Sequence, residues 1–368
     1  MKGAPKPPEA ADRVIACQSD QGFMDWLSAC GGSLAISTYQ AGKLLLLGWT
    51  GSQPLLLPRD FDKPMGLDVR GTRLVLATRN AVTLFQNDTR LASSYTPHPK
   101  ANYDALYLQR ASYFTGDLDI HDVAIDSKNE LWMVNTRFNC LATLSDEYSF
   151  LPQWRPAFIS DFAPEDRCHL NGLALKGDRP AWVTALSTSD RSDGWRSNKL
   201  TAGVVIDVAD NEVIVRGLAM PHSPRWYRNR LWVLNSGAGE LLRIDPRTGD
   251  SEIVCTLPAY LRGLCFHGDH ALIGLCKTRE SNVFGGMPVQ ARYPFLKCGV
   301  AAVDLRTGGW LGTLEFTSGC TEIYDLRMLE GVYRPNILNL ERNNAQYAVS
   351  TPPLSCWLRS EGSGTGEN

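Results

Sequence analysis

Short runs of alternating hydrophobic and polar residues, separated by tight polar turns, fill most of the chain. The clearest example is residues 119–126, followed by a polar turn at 127–129 and a second run at 130–135. Alternation with a period of two, together with β-branched and aromatic residues, is typical of strands that pair in a hairpin. The pattern therefore predicts an all-β chain built from short antiparallel strands.

This hairpin recurs as part of a four-stranded unit. Four further copies begin at Met65, Leu170, His222 and Arg262. Three tryptophans at intervals of 50 residues occupy one position in the second strand of their copies: Trp132, Trp182 and Trp232. A period of about 40–50 residues with four short strands in each period is the sequence signature of a β-propeller. The tryptophans are predicted to pack in its core.

A sixth copy is divided between the two ends of the chain. Residues 322–328 resemble an innermost strand without second and third strands after it, whereas the hairpin at 34–49 has no innermost strand before it. Joining the two parts closes the ring and removes exposed sheet edges. We therefore predict a six-bladed β-propeller that is closed by pairing an N-terminal hairpin with a C-terminal innermost strand.

The domain boundaries follow from composition. Residues 1–22 are rich in Pro and Ala and are predicted to be a disordered lead-in, with a short helix at 23–30. Residues 23–357 are predicted to form a single propeller domain, and the Gly- and Ser-rich residues 358–368 a disordered tail.

The long irregular segments, residues 96–118, 187–202 and 277–298, are predicted to lie on one face, called the top, where the innermost strands begin. In the first copy, residues 90–95 are predicted to form the fourth strand. Long loops on one face of a rigid scaffold are where binding and catalytic residues are usually found. The top is therefore the face on which we look for a site.

Three of the copies share a Gly-Leu pair at residues 66–67, 172–173 and 263–264. Aligning all copies on this point places one residue of each in an equivalent slot at the start of the innermost strand. These six slot residues are Met65, His121, Asn171, His222, Arg262 and Glu322. A slot repeated in every blade brings its side chains together at the mouth of the central channel. Five of the six are polar or charged, which predicts either a site or a set of groups that cap the strand ends.

The slot residues predict a metal centre. His121, His222 and Glu322 supply two imidazoles and a carboxylate, and Asn171 is a possible fourth ligand. Imidazole ligands favour zinc, iron or copper over calcium, and an open coordination position would admit water or substrate. The cofactor predicted here is thus a divalent transition metal.

Two further residues are predicted to act in catalysis. Arg262 would anchor an anionic substrate, and His169, two residues before Asn171, would serve as a general base or as a partner of the metal ligands. Asp122 and Asp325 are predicted to lie just inside the channel, as candidate acceptors for His or Arg.

Charge and composition exclude several classes of partner. The chain has 37 Lys and Arg against 39 Asp and Glu, so no overall field favours nucleic acid or an anionic membrane. No apolar run is long enough to span a bilayer, and the first residues do not resemble a signal peptide. Ten cysteines without a Cys-x-x-Cys pair are predicted to be reduced and mostly buried. Together these features predict a cytoplasmic location.

Several short segments, taken in order, resemble a bacterial family of conserved hypothetical proteins. They are residues 121–122, 169–172, 222–225, 261–263 and 322–325, and the resemblance extends over roughly residues 22–340. It implies the propeller but no activity. More distantly, the chain is similar to the six-bladed gluconolactonase, regucalcin and strictosidine-synthase group, which implies a metal or a catalytic carboxylate at the top of the channel. The lactonase ligands are mainly carboxylates and asparagines, whereas two slots here hold histidine.

Two functions remain open from the sequence. One is a metal-dependent hydrolase or oxidoreductase that acts on a small polar or anionic substrate at the channel mouth. The other is a non-catalytic propeller that binds a peptide, a glycan or a partner protein through top-face aromatics such as Trp195 and Phe284.

Overall fold

Six small sheets surround a central channel in the computed structural model, which describes residues 14–277, 285–339 and 343–358. This confirms the six-bladed β-propeller. The parts of the predicted lead-in and tail at residues 1–13 and 359–368, and also Phe284, lie outside the described residues.

The blades follow the chain, each with its first strand at the channel. The first blade contains Leu67–Arg70, Arg73–Ala77, Ala81–Asn87 and Ala105–Phe114. The second contains Ile120–Ile125, Leu131–Asn135, Cys140–Thr143 and Leu151–Trp154. The third contains Leu170–Lys176, Arg179–Ala185, Gly203–Asp207 and Glu212–Leu218. The fourth contains Pro221–Tyr227, Arg230–Asn235, Glu240–Ile244 and Ser251–Thr256. The fifth contains Tyr260–His267, His270–Cys276, Gly299–Asp304 and Trp310–Ser318, with a helix at Pro288–Arg292 between its second and third strands.

The sixth blade joins the two ends of the chain, as predicted. Its innermost strand is Asp325–Glu330, followed outward by Gly32–Thr38, Lys43–Trp49 and Pro54–Asp60. The seam pairs Gly32 with Glu330 and Ser37 with Asp325 in antiparallel register. The buried Ser37 hydroxyl donates to the Met65 carbonyl at 2.6 Å and accepts from the Asp325 amide at 3.1 Å, which ties the seam to the first blade.

The outer part of the first blade differs from the prediction. Residues 90–95 are not its fourth strand, because Asp88 accepts hydrogen bonds from the amides of Arg90 and Leu91 and starts a short helix at Thr89–Ala92. The fourth strand is Ala105–Phe114, within the segment predicted to be an irregular top loop. Strand Pro335–Leu338 adds to its edge in parallel register, and a small hairpin of Ala348–Ser350 and Ser355–Trp357 lies nearby.

The N-terminal segment also differs from the prediction of disorder through residue 22. Ala16–Ser19 forms an antiparallel strand on the outer edge of the fifth blade, paired with Trp310–Ser318. Helix Gln21–Ala29 begins within the same segment and buries Phe23, Trp26 and Leu27. Strand addition satisfies the backbone groups of an otherwise open sheet edge, which explains why this segment is ordered.

Asp20 connects these two elements, and its loss is expected to be measurable. Its carboxylate accepts from the Phe23 amide at 2.9 Å as the helix N-cap and from the Thr313 amide at 2.8 Å. Asp20→Ala is expected to lower the free energy of unfolding by about 1–2 kcal/mol, measured by urea denaturation. Asp25→Ala in the exposed part of the helix is the control, with a change within about 0.5 kcal/mol. Equal effects of the two substitutions would contradict the capping role.

The core lies between adjacent blades, since each sheet is covered on both faces. Val134 and Leu141 of the second blade, for example, pack with Leu173 and Val183 of the third. Trp182 and Trp232 are buried as predicted, and Trp132 is partly buried. Seven of the ten cysteines are buried, which confirms that most of them lie in the interior. No helix in the described ranges is long and apolar enough to cross a membrane.

The Gly-Leu pairs used to align the copies mark close contacts between innermost strands. A Cβ atom on Gly66 would lie 3.0 Å from the Asp122 backbone, and one on Gly263, where φ is +80°, would lie 2.9 Å from Asp325 Cα. Glycine therefore lets neighbouring blades approach at the channel wall. This is why the pair recurs at the same point of the repeat.

Below the slot residues, a buried cluster of charges fills the channel. Arg225 donates to Asp122 at 2.8 Å, and Arg327 donates to Asp325 at 2.7 Å and to Asp68 at 2.9 Å. The three carboxylates also accept backbone amides of adjacent innermost strands. Asp122 and Asp325 thus act as acceptors for arginine, and the cluster closes the channel beneath its top mouth.

Candidate functional site

The channel mouth brings the slot residues together as predicted. Met65, His121, Asn171, His222, Arg262 and Glu322 are all buried, each with 7 % or less of its surface exposed. Aromatic rings link three of them, the two histidines and the arginine: His121 packs edge-on to Tyr324, and Tyr324 lies under Arg262. Tyr260 in turn contacts both Arg262 and His222. The mouth is therefore one continuous cluster of polar and aromatic groups.

The same backbone feature precedes the slot in four blades. Residues two positions before the slot adopt left-handed conformations, with φ between 50° and 55°: Lys63, Asp119, His169 and Met220. None of them is glycine, so each conformation costs free energy that the fold must offset. In three blades the turn directs the carbonyl of this residue at the slot side chain, and the carbonyl accepts a hydrogen bond from that side chain. The repeat thus fixes the orientation of the slot side chains.

The two slot histidines have the same tautomer. Nδ1 of His121 lies 2.7 Å from the Asp119 carbonyl, and Nδ1 of His222 lies 2.9 Å from the Met220 carbonyl. Because a carbonyl only accepts, Nδ1 carries the proton in both rings and Nε2 keeps its lone pair. Nε2 of His222 is buried and has no hydrogen-bond partner among the described residues.

Burial keeps both of these imidazoles neutral. Desolvation lowers the pKa of His121 to about 4, although the Asp119 carboxylate acts in the opposite direction. Desolvation, followed by the nearby Arg262 cation, lowers the pKa of His222 well below its ordinary value. At neutral pH the mouth therefore holds two uncharged imidazoles that can accept a proton, a hydrogen bond or a metal ion.

His169 is held differently, by a carboxylate. Its Nδ1 lies 2.9 and 3.0 Å from the two oxygens of Asp166, and the indole Nε1 of Trp195 donates to the same carboxylate at 3.0 Å. The Trp195 ring also lies against the imidazole, with ring centres 4.2 Å apart, and His121 packs edge-on from another side at 4.6 Å. Asp166 fixes the tautomer that leaves Nε2 of His169 as the proton acceptor.

Arg262 is a buried cation among tyrosines. Its guanidinium carbon lies 4.8 Å from the ring centre of Tyr324 and 5.6 Å from those of Tyr39 and Tyr260. Among the described residues, the Nε of Arg262 has no hydrogen-bond partner, and its guanidinium forms no ion pair with a carboxylate. Cation–π contacts offset part of its desolvation, but an anion would offset more.

The remaining predicted ligands form hydrogen bonds of their own. Glu322 accepts a hydrogen bond from the Tyr39 hydroxyl. The Asn171 oxygen accepts from Thr184 at 2.7 Å, and its amide nitrogen donates to the His169 carbonyl at 3.3 Å. Within the described parts of the chain, no group of three or more His, Cys, Asp or Glu side chains is arranged to hold a metal ion.

The sequence did not point to the partners of the slot residues. Asp166 precedes His169 by three residues, and both Tyr260 and Tyr324 lie two residues from a slot, on the same face of their segment. Searching for aromatic residues two positions from each slot would have found the two tyrosines, but not Asp166, which lies five positions before the slot residue Asn171. The prediction that Trp195 is a binding aromatic of the top loops is wrong, because only 3 % of its surface is exposed and its indole is occupied by Asp166.

The fold and the mouth together define a class: a six-bladed β-propeller with polar side chains gathered at one end of its channel. Within that class, the chain belongs to the family described as a domain of unknown function, DUF4915, which matches residues 21–338.

Solved structures with low sequence identity share the propeller architecture. One, from a nidogen/laminin complex, has a TM-score of 0.51 at 10 % identity and covers 82 % of this chain and 99 % of its own. Another, a selenomethionine-substituted virginiamycin B lyase from Staphylococcus aureus, has a TM-score of 0.40 at 10 % identity, covering 83 % and 99 %. No curated protein matches the chain. At such identities the likeness concerns the fold alone.

Proposed function

We propose that the protein is an enzyme that acts on a small anionic substrate at the channel mouth by general acid–base catalysis. The observation that carries this proposal is the Asp166–His169 pair, with Nδ1 of the imidazole 2.9 Å from the carboxylate. An imidazole whose Nδ1 is held by a carboxylate, so that Nε2 is free to react, is the arrangement that enzymes use to accept and return a proton.

The reaction class that best fits these residues is hydrolysis of an ester or lactone that carries a carboxylate. His169 would remove a proton from water through Nε2 as the water oxygen attacks the carbonyl carbon. The resulting imidazolium is stabilised by Asp166 and returns the proton to the leaving oxygen. Trp195 keeps the carboxylate in place through its 3.0 Å hydrogen bond.

Arg262 would bind the negatively charged end of the substrate. In a buried site with low dielectric, a guanidinium without a carboxylate partner attracts an anion more strongly than in water. The Tyr324 hydroxyl, which is buried and has no hydrogen-bond partner within the described ranges, is available as a second donor. The two groups would orient the substrate, since Arg262 lies over the Tyr324 ring.

A panel of small carboxylated esters and lactones, followed by proton release at constant pH, tests this function. The wild type is expected to hydrolyse at least one compound. Asp166→Asn is expected to lower kcat about 10²-fold with little change in KM, because it misorients the base. Arg262→Gln is expected to raise KM instead. His267→Gln, at the turn between the first two strands of the fifth blade, is the control and should change neither constant.

An Asp166→Asn variant with the same kcat as the wild type would contradict the role of His169 as the general base. If the panel compounds bind without any turnover, the alternative of a non-catalytic binding propeller is favoured instead. Binding is measured separately, as a shift of Tm with ligand concentration.

A metal ion at the mouth is a second proposal, supported by the orientation of two imidazoles. His121 and His222 each donate Nδ1–H to a backbone carbonyl and keep Nε2 for a ligand, which is how metal-binding histidines are commonly oriented. Elemental analysis of wild type beside His121→Ala and Glu322→Ala decides the point. Stoichiometric zinc, iron or copper that both variants lose would support it, and protein without metal after metal-replete expression would reject it.

A further inference from the structure

A cleft of about 590 Å³ opens on the outer side of the first blade, away from the channel mouth. Its walls are strands Ala81–Asn87 and Ala105–Phe114, the segment around Arg90, and the turn at residues 350–352 of the C-terminal hairpin. Three arginines line this cleft: Arg73, Arg90 and Arg110. Cavities of this size commonly hold small-molecule ligands.

Arg90 is fixed by the hairpin that forms one wall. Its two terminal nitrogens donate to the carbonyls of Thr351 at 2.9 Å and Pro352 at 3.3 Å. Both acceptors are neutral, so the positive charge of Arg90 is not cancelled by them. About half of its side chain remains exposed.

One carboxylate, Asp88, is among the residues that line the cleft, and it is already occupied. It accepts hydrogen bonds from the hydroxyls of Ser350 and Ser355 and from the amides of Arg90 and Leu91. Its nearest approach to the Arg90 guanidinium is 3.9 Å, and its side chain is 5 % exposed. Asp88 therefore holds the wall together, while the three arginines leave the cleft positive.

The other two arginines have no internal role in the described part of the chain. The guanidinium groups of Arg73 and Arg110 form no hydrogen bond and no ion pair with a described residue. Arg110 is the extra residue of a bulge, since Leu84 pairs with Ala111 while Phe85 pairs with Gln109. Bulges re-aim side chains, and this one directs Arg110 to the cleft rather than to the top loops where the sequence suggested it.

We propose that this cleft binds a small organic phosphate that carries two or more negative charges. Guanidinium groups match phosphate oxygens with paired hydrogen bonds, and three of them around one cavity suit a group with several oxygens better than a single carboxylate. Leu84, Ala111 and Pro352 add apolar wall for the organic part of the ligand. The site is separate from the channel mouth and does not depend on the function proposed there.

Calorimetric titration with inorganic pyrophosphate and with ADP, at low salt, tests this proposal. The wild type is expected to bind both, and Arg73→Gln/Arg110→Gln is expected to weaken binding about tenfold or more, since two charge-assisted contacts are lost. Arg155→Gln/Arg216→Gln removes the same charge from exposed positions on other blades and is expected to leave affinity nearly unchanged. Circular dichroism and Tm verify that each variant is folded.

Four outcomes would overturn the proposal. The first is no binding of either phosphate to the wild type at millimolar concentration. The second is equal weakening by the control double variant, which would reveal only a general charge effect. The third is loss of binding in Arg262→Gln, which would place the anion at the channel mouth. Citrate is titrated in parallel, and affinity equal to that of pyrophosphate would reject phosphate as the preferred class.

Discussion

Asp122→Ala is expected to lower the free energy of unfolding by about 3–5 kcal/mol, because it leaves buried arginine charge uncompensated. Asp122 accepts from Arg225 at 2.8 Å and from the Leu173 amide at 3.0 Å, and Arg327 approaches it to 3.6 Å. The side chain is 4 % exposed, so water cannot replace these contacts. Urea denaturation at pH 7 measures the change.

Asp146→Ala supplies the matched control for this prediction. Asp146 is an exposed residue of a loop in the second blade, and its removal is expected to change the free energy of unfolding by less than about 0.5 kcal/mol. A loss below about 1 kcal/mol for Asp122→Ala would show that the remaining carboxylates, Asp68 and Asp325, can balance both arginines without it.

The second large effect is a loss of stability in mild acid that originates at the channel mouth. The folded pKa of His121 is lowered to about 4 by burial, below the ordinary value of 6.5 that applies to the unfolded chain. Between these values the unfolded state binds a proton that the folded state excludes. The stability from the neutral imidazole is complete above about pH 7 and is lost as the pH falls towards 4. Protonation of His121 alone is expected to lower the free energy of unfolding by about 3 kcal/mol between about pH 7 and pH 4.

His222 adds to this effect in the same direction, since burial and Arg262 also lower its pKa. Denaturant titrations between pH 4 and pH 7.5 are expected to give a shallower dependence for His121→Gln than for wild type, because the titrating group is gone. His270→Gln, at the start of the second strand of the fifth blade, should retain the wild-type dependence of unfolding free energy on pH. Parallel curves for wild type and His121→Gln would refute the assignment, whatever the absolute stability of the variant.

The repeat made most of the fold predictable. Each blade encodes its own strands through local alternation, and the shared Gly-Leu pair reports a real contact between innermost strands, as at Gly66 and Gly263. The same alignment found the slot residues. Closure of the ring by the two chain ends was also predictable. The C-terminal segment has no second and third strands after it, and the N-terminal hairpin has no innermost strand before it.

The errors occurred where long-range contacts override local pattern. Ala16–Ser19 is a strand because the edge of Trp310–Ser318 is available to it, and nothing within the segment itself encodes that partner. In the first blade, the Asp88 cap turned a predicted strand into a helix and displaced the fourth strand to Ala105–Phe114.

For the site, the sequence predicted the slot residues and His169 but not the groups that orient them. His121 and His222 could be placed from the repeat, but their tautomers depend on left-handed residues such as Asp119 and Met220, which no sequence signal marks. Asp166 belongs to a connection between blades, outside the repeating strands, so the alignment that found the slots could not include it.

The closure of the sixth blade has a consequence for biosynthesis. Asp325 follows its partner Ser37 by 288 residues, so the strand Gly32–Thr38 leaves the ribosome long before its neighbour exists. At translation rates of about 5–20 residues per second, this strand, which is buried in the folded protein, waits roughly 15–60 s without its inner partner. A nascent chain stalled before residue 325 is therefore expected to expose the edge of the N-terminal sheet and to engage chaperones that the released chain no longer needs.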